Sequence, residues 1–176
     1  MSDLASSGGA SGVAGPVPVA ESPTGDLLAA LRGRGQTLSV AESLTGGLLA
    51  ATIVDVPGAS AAFRGGLVVY ATDLKATLAG VDTGLLAERG PVDPDVAVAL
   101  ARGVCERCGS DWGLSTTGVA GPGPQDGVPA GTVYIGLHGP GGRDEVRRLA
   151  LTGDRPGIRR AAVRAVLALL AEALAA

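Results

Sequence analysis

The sequence has very few aromatic residues: one Trp, two Tyr and one Phe among 176 residues. Hydrophobic residues nevertheless make up 46% of the chain, so its core must consist mainly of Ala, Val and Leu. Charged residues are also scarce, at 18%. A chain with this much apolar and this little charged material is not globally disordered, and its length is that of one ordinary domain.

Histidine and cysteine are almost absent as well, with one His and two Cys in the chain. This scarcity argues against a zinc site with several His and Cys ligands and against a disulfide framework, so we expect no metal. Fourteen basic residues against 17 acidic ones give a net charge of −3. That balance argues against non-specific binding to nucleic acids or to anionic membranes.

Long hydrophobic runs are missing too. No apolar run reaches the roughly 20 residues that a membrane-spanning helix needs. The N-terminal residues do not combine a basic start with an apolar stretch, which is the pattern of a signal peptide. We therefore predict a cytoplasmic protein with neither a membrane nor a nucleic acid as partner. Residues 1–23 are rich in Gly, Ser, Pro and Ala, and we predict a flexible tail there and a globular domain over residues 24–176.

Helix-like and strand-like patterns alternate along the predicted domain. The spacing of apolar residues and the positions of Gly and Pro predict five strands and about five helices. Early alternation followed by three consecutive strands predicts an α/β fold, with a mixed sheet and helices on both faces. The strands are predicted at residues 37–41, 66–71, 112–117, 132–137 and 145–151, and the helices at 26–32, 48–54 and 73–79, after Asp93, and at the C-terminal end.

The segment Ala41-Glu42-Ser43-Leu44-Thr45-Gly46-Gly47 joins the first strand to the next helix. Two glycines at a helix start lower helix stability by about 1 kcal/mol each, so this place must need bare backbone. Free N–H groups at a helix start form an anion site. The alternative is a tight turn capped by Ser43 or Thr45, and the pattern leaves both open.

A second unusual arrangement lies between Tyr70 and Lys75. Tyr70 is predicted to close a strand and Thr72 to cap the next helix, which places Lys75 at the third helical position. The helix dipole opposes a cation there and lowers the lysine pKa slightly, and burial would lower that pKa further. A neutral lysine is a candidate general base. The alternative is a solvated surface lysine.

The third candidate region is the Gly- and Pro-rich loop between two strands, from Ser115 to Thr132. Thr117 and Gly118 end the preceding strand, and long loops with stiffening prolines commonly carry functional sites. Arg155 and Arg159 lie four residues apart at the start of the last helix, where they can clamp a phosphate or a carboxylate. The structural alternatives are a plain strand connection and a solvated helix end.

Two other conspicuous features receive structural interpretations. Cys105 and Cys108 form a C-x-x-C pair, but they lie inside an amphipathic helix and no second pair exists. We predict that both are core or near-core residues rather than a redox or metal site. His138 has no recognisable catalytic partners, and we predict a surface residue at a strand end.

Several of these segments together resemble one known family. They are Ala41–Gly47, the pair Tyr70 and Lys75, Thr117–Pro122, Gly131–Val133 and Gly153–Arg155. In order and spacing they resemble the CinA C-terminal domain, the nicotinamide-nucleotide amidohydrolase (NMN deamidase) family, over about residues 24–175. The resemblance implies a three-layer α/β/α sandwich with a mixed, mostly parallel five-stranded sheet. It also implies a stand-alone form without the large N-terminal domain of longer CinA proteins, and a homo-oligomer, of which we favour a dimer.

The activity that the resemblance implies is hydrolysis of the carboxamide of nicotinamide mononucleotide (NMN) to nicotinate mononucleotide and ammonia. This is a step of pyridine nucleotide recycling and needs no cofactor. Ser43, Tyr70 and Lys75 match the family's proposed catalytic residues: Ser43 as nucleophile, Lys75 as general base, and Tyr70 relaying a proton or holding Lys75. Substrate contacts are expected from Glu42, Thr45, Gly46, Gly47, Thr117, Gly118, Arg155 and Arg159.

Two alternative functions stay open at this point. One is a regulatory module that binds a nucleotide without turning it over. The other is an amidase of the same Ser–Lys type that acts on another nucleotide.

Overall fold

The computed structural model describes residues 22–176, in which helices and strands alternate as the sequence patterns predict. Two short 3-10 turns, Ala59–Ala61 and Pro140–Gly142, connect longer elements. The elements in chain order are α1 (Pro23–Gly33), β1 (Leu38–Glu42), α2 (Leu48–Val54), β2 (Phe63–Val68), α3 (Thr72–Thr77), α4 (Thr83–Arg89), α5 (Pro94–Cys108), β3 (Trp112–Gly118), β4 (Thr132–Gly139), β5 (Arg143–Ala150) and α6 (Arg155–Ala175).

The five strands form one sheet in the order β2-β1-β3-β4-β5. β1 pairs in parallel with β2 and β3, whereas β4 runs antiparallel to both β3 and β5. Four strands therefore point the same way and β4 is reversed, which confirms the mixed sheet. Glu42 at the end of β1 lies beside Val68 of β2 and Thr116 of β3. The carboxyl ends of three parallel strands thus meet at one edge, the usual place for a ligand in such a sheet.

Helices cover both faces of the sheet. One face packs against α1, α2 and α6, and the other packs against α3, α4 and α5. Both cores are almost entirely aliphatic, with Trp112 as the one buried aromatic residue of residues 22–176. The structure confirms the three-layer α/β/α sandwich.

The first helix begins earlier than its apolar spacing indicates. Pro23 occupies its first turn, and the Ser22 hydroxyl accepts a hydrogen bond from the Gly25 N–H at 3.1 Å. Ser22 and Pro23 thus begin α1, although we assigned them to the tail. The rest of the predicted tail, residues 1–21, lies outside the described residues.

Two other predictions of elements differ from the structure. The sequence patterns miss α4, because its apolar residues, Leu85, Leu86 and Ala87, are consecutive and show no helical period. β2 spans Phe63–Val68 rather than residues 66–71, so Tyr70 follows the strand instead of closing it. Within the part of the chain that the structure describes, no helix combines the length and the apolarity required to cross a membrane.

Candidate active site

The turn between β1 and α2 is shaped by its two glycines. Gly46 has a φ of +56° and Gly47 a φ of +95°, in the left-handed region that other residues adopt only with strain. Gly47 is the N-cap of α2 and makes no side-chain cap. The bare backbone that the sequence indicates is therefore needed for the fold of the turn. The alternative of a cap by Ser43 or Thr45, which the pattern left open, is not what the structure shows.

Glu42 caps α2 in place of those hydroxyls. Its Oε2 accepts hydrogen bonds from the N–H groups of Gly47 and Leu49, both at 3.0 Å, and its Oε1 accepts one from Ala50 at 2.8 Å. The side chain is 1% exposed, so the buried carboxylate is stabilised by the three amides and by the helix dipole. The helix start that we considered as an anion site already holds an anion, which is part of the chain itself.

We expect Glu42→Gln to lower the free energy of unfolding by about 1–3 kcal/mol, because a neutral amide accepts weaker hydrogen bonds and brings an NH₂ group towards N–H donors. The measurement is the urea midpoint. Glu88→Gln is the control, since Glu88 has a side chain 73% exposed and is expected to change stability by less than about 0.5 kcal/mol. Equal midpoints for the two variants would contradict the capping role.

Lys75 of α3 contacts Ser43 through its side chain. Its Nζ donates to the Ser43 Oγ at 3.1 Å and to the Val69 carbonyl at 2.8 Å. The residue is 1% exposed, and burial lowers its pKa from the ordinary 10.5 to about 8. Among residues 22–176 no carboxylate forms a salt bridge with it. This lysine is therefore a buried base that is neutral in a sizeable fraction of molecules near pH 7, not a solvated surface residue.

The local environment of Lys75 differs from the prediction in one respect. α3 begins at Thr72 itself, with Ala71 as its N-cap and no side-chain cap, so Lys75 is the fourth helical residue. Thr72 is not the cap that we predicted. Burial lowers the pKa of this lysine.

Ser43 and Lys75 lie in the wall of a cavity of about 270 Å³ at the carboxyl edge of the sheet. None of its lining residues is acidic, and both cationic ones are predicted site residues, Lys75 and Arg155. The cavity therefore favours a small anionic ligand. Its lining consists of Ser43, Leu44, Tyr70, Thr72, Lys75, Pro91, Val92, Thr117, Gly118, Val119, Ala120, Gly121, Gly123, Pro124, Gln125 and Arg155.

Tyr70 and Arg155 contact each other at the rim of this cavity. Arg155 Nη2 donates to the Tyr70 hydroxyl at 2.8 Å, and Nη1 donates to the Gly121 carbonyl at 2.9 Å. Tyr70 is 59% exposed. Among the hydrogen bonds of residues 22–176, the Tyr70 hydroxyl binds Arg155 and not Lys75. Lys75 is held instead by Ser43 and the Val69 carbonyl.

Thr117 and Gly118 form the part of the cavity wall that belongs to β3. Thr117 is fully buried, and its Oγ1 donates to the Pro91 carbonyl at 2.6 Å. A Cβ on Gly118 would lie 2.6 Å from the Thr132 carbonyl oxygen, so the close approach of β4 requires glycine here. The cavity wall is thereby fixed by the sheet and by the segment that carries Pro91.

The predicted site residues fall into two groups. The cavity is lined by Ser43, Tyr70, Lys75, Thr117, Gly118 and Arg155. The others lie outside the lining and form or contact the turn that contains Ser43; they are Glu42, Thr45, Gly46, Gly47 and Arg159. Thr45 Oγ1 is 2.7 Å from Thr116 Oγ1. Sequence reasoning missed Pro91 and Val92, which contribute no reactive group and therefore left no chemical signal.

The two cysteines have the structural role that we predicted. Cys105 is buried, and burial raises the pKa of its thiol to about 11. Cys108 is partly buried and free. A thiol with so high a pKa is a poor nucleophile, which fits a core residue.

Comparison with known proteins gives a consistent result. Residues 20–174 match the family model of the CinA C-terminal domain. A CinA-like protein of Frankia casuarinae is 55% identical over 155 residues, which cover 88% of this chain and 36% of that protein. A CinA-like protein of Myxococcus xanthus is 43% identical and is likewise covered over 36% of its length. The chain therefore spans little more than a third of these relatives.

The chain spans nearly the whole length of several solved structures. A competence-damaged protein (CinA) superfamily protein from Klebsiella pneumoniae superposes with a TM-score of 0.83 at 34% identity, over 87% of this chain and 96% of that one. The competence/damage inducible protein CihA from Agrobacterium tumefaciens superposes with a TM-score of 0.80 at 30% identity, over 91% and 100%. Sequence and fold agree, and the chain belongs to the CinA C-terminal domain family.

Proposed function

We propose that this domain hydrolyses the carboxamide of NMN to nicotinate mononucleotide and ammonia. The observation that carries the proposal is the 3.1 Å contact between Lys75 Nζ and Ser43 Oγ in the wall of an open cavity. A serine needs a base within hydrogen-bond reach to become a nucleophile. A lysine with a pKa of about 8 is such a base near neutral pH. The choice of NMN rests on the family resemblance together with the cationic cavity.

In the proposed reaction, neutral Lys75 takes the Ser43 proton while Oγ attacks the amide carbon. The resulting ammonium of Lys75 then gives this proton to the carboxamide nitrogen, which leaves as ammonia, and the nicotinoyl group of the mononucleotide stays bound to the Ser43 Oγ as an ester. Water, deprotonated by the same lysine, hydrolyses the ester and restores the serine. At pH 7 a base with this pKa is neutral in roughly one molecule in ten, which is enough for turnover.

The backbone next to Ser43 offers donors for the oxyanion. Within residues 22–176, the N–H groups of Leu44 and Thr45 make no hydrogen bond to the protein, whereas those of Gly46 and Gly47 are already engaged. The N–H of the residue after a nucleophile is a usual oxyanion donor. We assign the Leu44 and Thr45 amides to the charge that develops on the carboxamide oxygen.

Arg155 supports recognition of a phosphate. It lies at the cavity rim, forms no salt bridge with any described acidic residue, and is held by Tyr70 and Gly121. An arginine in this state offers N–H donors to an anion. In this proposal Tyr70 orients Arg155 and borders the ring of the substrate, and Thr117 forms the adjacent wall.

The test is ammonia release by the wild-type chain from NMN, nicotinamide riboside and free nicotinamide. We expect turnover of NMN, much slower turnover of the riboside, and none of free nicotinamide. Calorimetric binding of NMN without ammonia release would instead support the regulatory module. Turnover of other amide-bearing nucleotides in preference to NMN would support a Ser–Lys amidase of different specificity.

We expect Arg155→Gln to raise KM for NMN by about 10- to 100-fold, because a hydrogen bond to a charged group contributes about 1.5–3 kcal/mol. The riboside, which has no phosphate, should show an unchanged KM. Steady-state kinetics on both substrates give the comparison. Arg164→Gln, an exposed arginine further along α6, is the control and should match the wild type. Equal losses on NMN and riboside would contradict phosphate recognition by Arg155.

A further inference from the structure

Arg159 reaches from α6 to the backbone of the Ser43 turn. Its Nε donates to the Leu44 carbonyl at 3.1 Å, and its Nη2 donates to the Thr45 carbonyl at 2.5 Å. The side chain is partly buried and, within residues 22–176, forms no salt bridge with a carboxylate. The guanidinium therefore binds the carbonyls of the two residues that directly follow Ser43. We expected Arg159 to contact the substrate, but it does not line the cavity.

The Leu44 carbonyl and the Thr45 N–H belong to one planar peptide unit. A cation that donates to the carbonyl oxygen draws electron density through this unit, so the N–H at its other end becomes a stronger donor. The Thr45 N–H is one of the two amides of the turn without a protein acceptor among the described residues. Arg159 also donates to the Thr45 carbonyl, which belongs to the next peptide unit. This second hydrogen bond restricts the backbone at Thr45 and thereby the direction of the Thr45 N–H.

We propose that Arg159 is a positioning residue for the oxyanion: it orients and polarises the peptide unit between Leu44, which lines the cavity, and Thr45, whose N–H makes no hydrogen bond to the described residues. The inference deepens the proposed hydrolysis and rests on it for the identity of the reaction. Arg159 acts through the backbone and never touches the substrate. Its contribution arises only when negative charge develops on the carboxamide oxygen, so it belongs to kcat rather than to KM.

Arginine is suited to this task in a way that lysine is not. Its planar fork carries donors at two positions with fixed separation, which matches the carbonyls of two consecutive residues. Arg159→Lys keeps the positive charge but reaches one carbonyl at most. Arg159→Met removes both donors and the charge. We therefore expect kcat to fall by about 10-fold in Arg159→Lys and about 100-fold in Arg159→Met, with KM for NMN unchanged within about twofold.

A second measurement is independent of the physiological substrate. A fluorophosphonate probe reacts with an activated serine: the Ser43 Oγ forms a P–O bond, the P–F bond breaks, fluoride leaves, and Lys75 takes the proton. The phosphoryl oxygen of the probe occupies the position of the oxyanion. We expect the labelling rate of Ser43, measured by mass spectrometry, to fall in both Arg159 variants in the same order as kcat.

The control is Arg160→Met, one residue along α6 and exposed, which should label and turn over as the wild type does. All rates are measured at a temperature at which circular dichroism shows each variant folded, so that a loss of stability is not mistaken for a lower catalytic or labelling rate. Wild-type labelling rates in both Arg159 variants would overturn the inference, as would a raised KM with unchanged kcat. A wild-type chain that is labelled at Ser43 but releases no ammonia from NMN would overturn the proposed function alone.

Discussion

Replacing Ser43 with alanine is expected to reduce kcat for ammonia release from NMN by about 10⁴-fold or more. The Ser43 Oγ is the only hydroxyl that Lys75 Nζ contacts among the described residues, so no neighbouring group can take over the attack. Removal of the nucleophile from a serine hydrolase removes nearly all of the covalent pathway and leaves only what binding and the oxyanion donors provide. The measurement is single-turnover ammonia release at saturating NMN.

Ser39→Ala is the matched control for this variant. Ser39 lies on β1, four residues before Ser43, is fully buried, and shares a hydrogen bond of 2.6 Å with Ser110, away from the cavity. We expect this variant to lose about 1 kcal/mol of stability and to keep its activity. Turnover by Ser43→Ala at more than a hundredth of the wild-type rate would mean that water, rather than the serine, attacks the carboxamide.

The Ser43 turn and the start of α2 contain two sets of backbone N–H groups that differ in their hydrogen-bond partners. The N–H groups at the start of α2 are held by the buried carboxylate of Glu42, while the Leu44 and Thr45 amides make no hydrogen bond to any of residues 22–176. A substrate anion therefore cannot enter the helix start. In the proposed reaction this arrangement restricts charge stabilisation to the atoms beside Ser43, where it would lower the barrier rather than only bind substrate.

Much of the fold could be predicted from the sequence because its signals are local. Pro94 after the capping Asp93 marks the start of α5, and the structure begins the helix there with the Asp93 side chain accepting from the Asp95 N–H at 2.8 Å. α2 has the bounds that were predicted, Leu48–Val54. The same treatment fails for α4, because its three apolar residues are consecutive and show no helical period; only the Asp82 cap indicates this helix.

The site could be predicted in part, since its chemistry depends on contacts between distant segments. The six predicted residues that line the cavity belong to the motifs, and the carboxyl ends of the parallel strands bring these motifs to one edge of the sheet. Glu42 and Arg159 were given substrate contacts, because a charged residue within a motif looks alike whether it faces a ligand or the backbone. Their true partners, the amides and carbonyls of the turn, are set by the tertiary fold and have no signature in sequence spacing.

Lys75 gives the second large effect. We expect Lys75→Met to lower kcat/KM for NMN by at least about 10³-fold, because the base within reach of the Ser43 Oγ is lost. Lys75→Arg retains a positive charge but does not deprotonate near neutral pH, so it should be equally inactive. An active Lys75→Arg variant would show that the site needs a cation there and not a base. Circular dichroism verifies that both proteins are folded at the assay temperature.

The same residue is the only lysine in the sequence, which makes its ionisation directly observable. Protein labelled with [¹³Cε]lysine should show a single side-chain resonance that titrates with a pKa of about 8. The pH profile of kcat/KM should rise tenfold per pH unit below that value and level off above it, since the neutral amine is the active form. A resonance that titrates near 10.5, the ordinary value, would contradict the assignment of a neutral base.

The lowered pKa of Lys75 also predicts how stability depends on pH. In the window from about 8 to 10.5 the unfolded chain holds a proton that the folded protein has released, so stability rises with pH there. Below that window both states are protonated, and burial of the charge destabilises the fold by about 3 kcal/mol at 1.36 kcal/mol per pKa unit.

Lys75→Met removes this dependence of stability on pH. The difference in unfolding free energy between wild type and variant, measured by urea titration from pH 7 to 10.5, should therefore change by about that amount in favour of the wild type. A difference that stays constant across this range would mean that the buried amine keeps its proton, and the proposed mechanism would lose its base.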